Sequence, residues 1–76
     1  MRSAAPRHEC EGNACRVATL IWDHARKQYC SQNNSDRWVK VEVTAPGGAA
    51  SVRVPPGGSE CLTVTSFEGP YRANFD

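Results

Sequence analysis

Four cysteines in a chain of 76 residues constrain this sequence more than any other feature. A domain this small buries only about 60% of the surface its unfolded chain exposes. Its core leaves little surplus stability, so domains of this size often add disulfides or a metal. Cys10, Cys15, Cys30 and Cys61 are the candidate staples. They fit either two disulfides in an oxidising compartment or a metal site in which His8 and His24 join thiolates. The spacing favours disulfides. Structural zinc sites present paired knuckles, whereas Cys10 and Cys15 form a single C-x4-C and Cys30 and Cys61 stand alone in strand-like stretches. The preferred pairing is Cys10–Cys15 with Cys30–Cys61. On the chain-entropy model the longer loop is worth about 3.7 kcal/mol and the shorter about 2 kcal/mol. Pairing Cys10 with Cys30 and Cys15 with Cys61 stays open, because sequence does not fix connectivity.

Oxidised cysteines imply a secreted or periplasmic protein. Residues 1–7 carry charge but no apolar stretch follows, so that expectation implies a leader removed upstream and a non-native Met1. No apolar run approaches the roughly 20 residues of a membrane-spanning helix. Nine Lys and Arg against eight Asp and Glu give a net charge of +1, which argues against a nucleic-acid surface.

The patterning is that of strands. Arg16 to Trp22 is apolar, β-branched and short, and Lys27 to Ser31 reads as its hairpin return. Asp23 to Gln28 has room for one helical turn at most. Asn33-Asn34-Ser35-Asp36 is a turn whose side chains bond their own backbone. In Trp38 to Val43, Val39, Val41 and Val43 alternate with Trp38, Lys40 and Glu42, the period of a half-buried strand. Ala45-Pro46-Gly47-Gly48 stops it. Ser51 to Val54 and Cys61 to Thr65 are further strands, with Pro55-Pro56-Gly57-Gly58 between them and Gly69-Pro70 as the next break. Tyr71 to Phe75 is the last, with Tyr71, Ala73 and Phe75 on one face. The expectation is an all-β fold: a small antiparallel β-sandwich of about six short strands over residues 16–76, disulfide-stapled, with an irregular N-terminal arm over residues 1–15.

No catalytic or phosphate-binding signature is present, and a domain this small has little room for a substrate pocket. The chain is therefore read as a non-enzyme without a cofactor. A small metal-binding protein using His8, Cys10 and Cys15 is one alternative. His24 reads as a solvated turn residue.

Trp38 carries the most functional information. Alternation places it on the face opposite the valines, where an exposed tryptophan can anchor a protein or stack on a sugar. Arg37, Trp38, Lys40 and Arg53 are the candidate binding residues, with Arg72 able to extend the patch. The expected partner is a protein, with a glycan as second choice. The other alternative is an inhibitor of a secreted enzyme, acting through a rigid loop at 23–26 or 45–48. Asn33-Asn34-Ser35 matches a glycosylation acceptor, but the same residues already account for a turn.

The stretch from Asn33-Asn34-Ser35 through the valines to Val54-Pro55-Pro56-Gly57-Gly58-Ser59 resembles small bacterial exported β-sandwich domains, over about residues 33–65. That generic resemblance implies an exported module. In size, strand count and cysteine number the chain is also similar to the streptomycete proteinaceous α-amylase inhibitors. Those present a Trp-Arg-Tyr turn. Here Arg37-Trp38 and a separate Trp22 occur without that tripeptide, so the inhibitory motif is not carried over.

Overall fold

The computed structural model describes residues 9–76. Among these there are seven strands and no helix: β1 (Cys10–Glu11), β2 (Ala18–Asp23), β3 (Gln28–Asn33), β4 (Val39–Ala45), β5 (Gly48–Val54), β6 (Ser59–Cys61) and β7 (Glu68–Phe75). They form a four-stranded sheet of order β1-β7-β4-β5 and a three-stranded sheet of order β2-β3-β6. The β2–β3 hairpin lies in the smaller sheet and the β4–β5 hairpin in the larger. The chain then returns to the smaller sheet for β6 and crosses again for β7. Every pairing is antiparallel except β1 with β7.

Alternation sets the inner face. Val39, Val41 and Val43 are buried, and so are Val54 of β5 and Ala73 of β7. Ala18 of β2 and Ala14 pack with them in one cluster. A second cluster joins Val43 to Leu62 and Phe67. Leu20, Val52 and Tyr71 touch both clusters. Tyr29 faces the same interior and stacks edge-on between Trp22 and Phe67, with centroids at 5.1 and 4.9 Å.

Several expected boundaries move. Of the expected strand Cys61 to Thr65 only Cys61 is in one, because β6 runs Ser59–Cys61, although Leu62 still donates its N–H to Tyr29 O at 2.8 Å. Gly69-Pro70 is no break; it lies within β7. Between the Glu42–Arg72 and Thr44–Glu68 pairs, β4 advances two residues while β7 advances four. The bulge absorbs Pro70, which has no N–H to donate, and Gly69 takes a φ of +77°. β5 starts at Gly48, because Pro46-Gly47 makes a tight hairpin turn in place of a longer loop. Asp23 to Lys27 does form a single helical turn, with Lys27 N donating to Asp23 O at 2.7 Å.

From the expected arm, residues 9–15 are described. Cys10 and Glu11 pair with Tyr71 and Arg72. Beyond them, Ala14 N donates to Ala73 O at 2.9 Å, and Phe75 N donates to Asn13 Oδ1 at 2.8 Å. The turn closed by Cys10–Cys15 thus covers the open edge of β7. Gly12 has a φ of +116°, and a Cβ there would collide with Ala73 O and Asn74 Oδ1. Any side chain at this position forces the turn off the strand.

Asn33, at the end of β3, is fully buried. Its Nδ2 donates to Arg37 O at 2.6 Å and is shared between Val54 O at 3.1 Å and Pro55 O at 3.2 Å. Its Oδ1 accepts from Ser35 N at 3.0 Å and Ser35 Oγ at 2.7 Å. One side chain therefore ties the smaller sheet to the end of β5 and to the turn leading into β4. It also leaves no free amide, so the glycosylation-like triplet is closed in the folded protein.

Two outcomes follow in equilibrium unfolding. Asn33→Ala should lower stability by about 2 kcal/mol, because its side-chain bonds to Ser35, Arg37, Val54 and Pro55 are lost, although Arg37 O keeps Ser35 Oγ and Pro55 O keeps Gly58 N. Asn34→Ala, next to it but exposed, should change stability by less than about 0.5 kcal/mol. Burial raises the pKa of the Tyr71 phenol. The folded state then holds its proton after the unfolded chain has lost it. This stabilisation is intact below the unfolded value and falls away as pH climbs past about 10. Tyr71→Phe should flatten that alkaline decline in a urea-unfolding series from pH 8 to 11.5.

Candidate functional site

The outer face of the four-stranded sheet follows from the same alternation that buries the valines. Trp38 precedes β4, and Lys40 and Glu42 share its side. Arg53 of β5 is directly opposite Lys40, and Arg72 of β7 is directly opposite Glu42. Trp38 stays 43% exposed despite its size. The Arg53 guanidinium lies over its ring at 5.1 Å. Asp76 accepts a close charged contact from Arg53 Nε, and Asp76 N donates to Trp38 O at 3.0 Å. Trp38, Arg53 and Asp76 thus brace one another at one end of the face.

The other charges are paired as well. Lys40 Nζ is 3.7 Å from Glu42 Oε2, and Arg72 Nε is 4.0 Å from Glu11 Oε1. Such exposed pairs contribute little stability. Their consequence is that each cation on this face has a neighbouring acid, so the face is polar without being basic.

Of the four candidate binding residues, Trp38, Lys40 and Arg53 share this face. Arg37 does not. It is one residue out of phase with Trp38, and its guanidinium lies 4.3 Å over the ring of Phe75, whose strand position is paired with the inward Val39. Arg72 is on the Trp38 face, further along the sheet.

Both disulfides are present in the preferred pairing, Cys10–Cys15 and Cys30–Cys61. Cys10 and Cys15 are bonded to each other, so neither offers a thiolate to a metal. His8 lies outside the described residues. Among the described residues no group of three His, Cys, Asp or Glu side chains is placed to hold a metal ion. His24 is exposed in the β2–β3 turn, edge-on to Trp22 at 6.3 Å.

Sequence reasoning did not single out the outer face of the smaller sheet. Ile21 is 65% exposed there. It lines a concavity of about 440 Å³ with Thr19, Asp23, His24, Cys30 and Gln32. The run from Val17 to Trp22 reads as apolar with little alternation, so nothing marked Ile21 as the residue facing out. The inward Tyr29, opposite Trp22 in the hairpin, carried the only signal of phase.

No protein-family model, curated protein or solved structure matches the chain.

Arg53→Ala should uncover the Trp38 ring at little cost to the fold. Stability should fall by less than about 1 kcal/mol, the scale of one exposed cation–π contact with its ion pair. Acrylamide quenching of Trp38, read in a Trp22→Phe background, should rise.

Proposed function

We propose that this chain is a secreted or periplasmic β-sandwich module that binds a protein partner through the outer face of its four-stranded sheet. The observation that carries this reading is the braced Trp38, exposed at the entry to β4 with Arg53 over its ring. Tryptophan and arginine are the residue types that most often dominate protein interfaces, and a pre-ordered side chain loses little entropy on binding. The charge pairing around it suits a protein surface of mixed sign better than a polyanion. Two disulfides are consistent with an oxidising compartment, and no helix among the described residues is long and apolar enough to cross a membrane.

A second reading rests on the β2–β3 turn. Asp23 Oδ1 accepts from Ala25 N at 2.9 Å and Arg26 N at 3.2 Å, which fixes the loop 23–26. A fixed exposed loop is what an inhibitor of a secreted enzyme would present.

The test begins with folded, oxidised protein immobilised against the secreted proteins of its source. A retained partner is then purified, and its affinity for variants is measured by calorimetry. Trp38→Ala should weaken binding about 30-fold, the effect of losing a hot spot of roughly 2 kcal/mol, with an unchanged melting temperature. Equal binding by Trp38→Ala, with loss on Ala25→Arg in the loop, would transfer the site to the inhibitor reading. Binding to a glycan array but to no protein would replace the partner class.

A further inference from the structure

The two disulfides occupy different surroundings. Cys10–Cys15 packs against the first core cluster. Cys30–Cys61 joins directly opposed positions of β3 and β6. Cys30 lies between the inward residues Tyr29 and Ser31, so the bridge projects from the outer face of the smaller sheet. Both its cysteines are half-buried, and neither packs into a core cluster.

Its two sulfurs are electrostatically unlike. Arg26 Nη1 is 3.5 Å from Cys61 Sγ. Asp23 Oδ2 is 3.9 Å from Cys30 Sγ, and Arg26 Nε is 3.8 Å from the same carboxylate oxygen. A guanidinium favours a thiolate on Cys61, and a carboxylate disfavours one on Cys30. The concavity of about 440 Å³ is lined by Cys30 but not by Cys61. Thiol–disulfide exchange proceeds in line, with the attacking sulfur opposite the leaving one. Cys61 lies on the β6 side of β3, and the concavity reaches from Thr19, Ile21 and Asp23 of β2 across Cys30 to Ser59 of β6. The concavity includes the β2 side of Cys30, from which a thiolate attacking opposite Cys61 arrives.

We propose that Cys30–Cys61 is a thiol–disulfide exchange site, with Cys30 as the sulfur attacked and Cys61 as the leaving thiolate. Its substrate class is a dithiol, on a protein or a small molecule. One thiolate of the dithiol bonds to Cys30 Sγ as the Cys30–Cys61 bond breaks, and the electron pair departs on Cys61 Sγ beside Arg26. The second thiolate of the dithiol then attacks the sulfur bonded to Cys30 and releases the Cys30 thiolate, which takes a proton from water. Two electrons pass to the protein, and the dithiol leaves as a disulfide. With the bond open, β6, only three residues long, is held by its pairing with β3 and by Leu62 N on Tyr29 O, beside Leu62 and Phe67 of the second core cluster. The site is on the opposite sheet from Trp38 and does not depend on the binding role proposed there.

The test uses folded, fully oxidised protein with reduced glutathione, whose single thiol stops at the mixed disulfide. Samples are quenched by acid, alkylated and mapped by peptide mass spectrometry. The expected product carries glutathione on Cys30 and the alkyl group on Cys61, with Cys10–Cys15 intact. Dithiothreitol should open the same bond first. Arg26→Gln should slow the exchange roughly three- to tenfold at pH 7, and Arg26→Lys should restore most of the rate. Arg26 is exposed, and circular dichroism checks that each variant is folded. Glutathione on Cys61, earlier opening of Cys10–Cys15, or an unchanged rate in Arg26→Gln would each overturn the proposal. So would opening of both bonds at the rate of global unfolding measured in urea.

Discussion

Asn33 is the constraint on which the two-sheet arrangement depends. Its amide is fully buried at the point where β3 ends and the chain turns toward the larger sheet. A buried polar group is costly unless its bonding capacity is met, and here donors and acceptor are all engaged. Because the partners are backbone atoms of residues 35, 37, 54 and 55 together with the Ser35 hydroxyl, the side chain ties the end of β3 to the end of β5 and the turn into β4. Two further backbone bonds, from Asn33 N to Gly58 O and from Asn34 N to Val17 O, hold the same corner. Ser31, two residues earlier on the same face, shows the contrast. Its Oγ is buried without a partner among the described residues, so it contributes volume to the core but no specificity.

Around that corner the core is made of small residues. The first cluster is built from valines and alanines, which interdigitate closely but give modest burial energy per residue. The disulfides supplement it at two places. Cys10–Cys15 closes the turn that lies along β7 and carries Ala14 into the core. Cys30–Cys61 retains β6, which has three residues to pair with and no long ladder of its own. Each bridge stabilises mainly by restricting the unfolded chain, and the longer loop gives the larger effect.

The two outer faces then differ in chemistry. On the larger sheet, Trp38, Arg53 and Asp76 form a braced group among paired charges. On the smaller sheet, Ile21, the concavity and a surface disulfide flanked by Arg26 and Asp23 lie together. The same alternation that directs valines inward brings both sets of side chains outward, so the fold positions two separate surfaces without a further structural device.

The all-β character, the inward valines, the hairpin turns and a preference for one cysteine pairing were legible in the sequence. These are local properties: period-two patterning, prolines and glycines that stop a strand, and lone cysteines in strand-like runs. Trp38, Lys40 and Arg53 could be assigned to one face for the same reason, since alternation within a strand and register across a tight hairpin are short-range. Other features needed partners distant in sequence. Asn33 reads as a turn residue until Val54 and Pro55 arrive beside it. Gly69-Pro70 reads as a break until β7, paired with β4, takes up the extra residues in a bulge that tolerates a missing donor. Arg37 joins Phe75 rather than Trp38, because the end of β7 supplies a ring on the other side. β6 lies at Ser59–Cys61 and not at Cys61 to Thr65, since β3 pairs with Ser59, Glu60 and Cys61. The sequence determined which valines face inward and favoured one pairing of the cysteines, which the structure shows. Only the tertiary structure decided which outward residues meet, because those meetings are set by strand order and register between segments that share no local code.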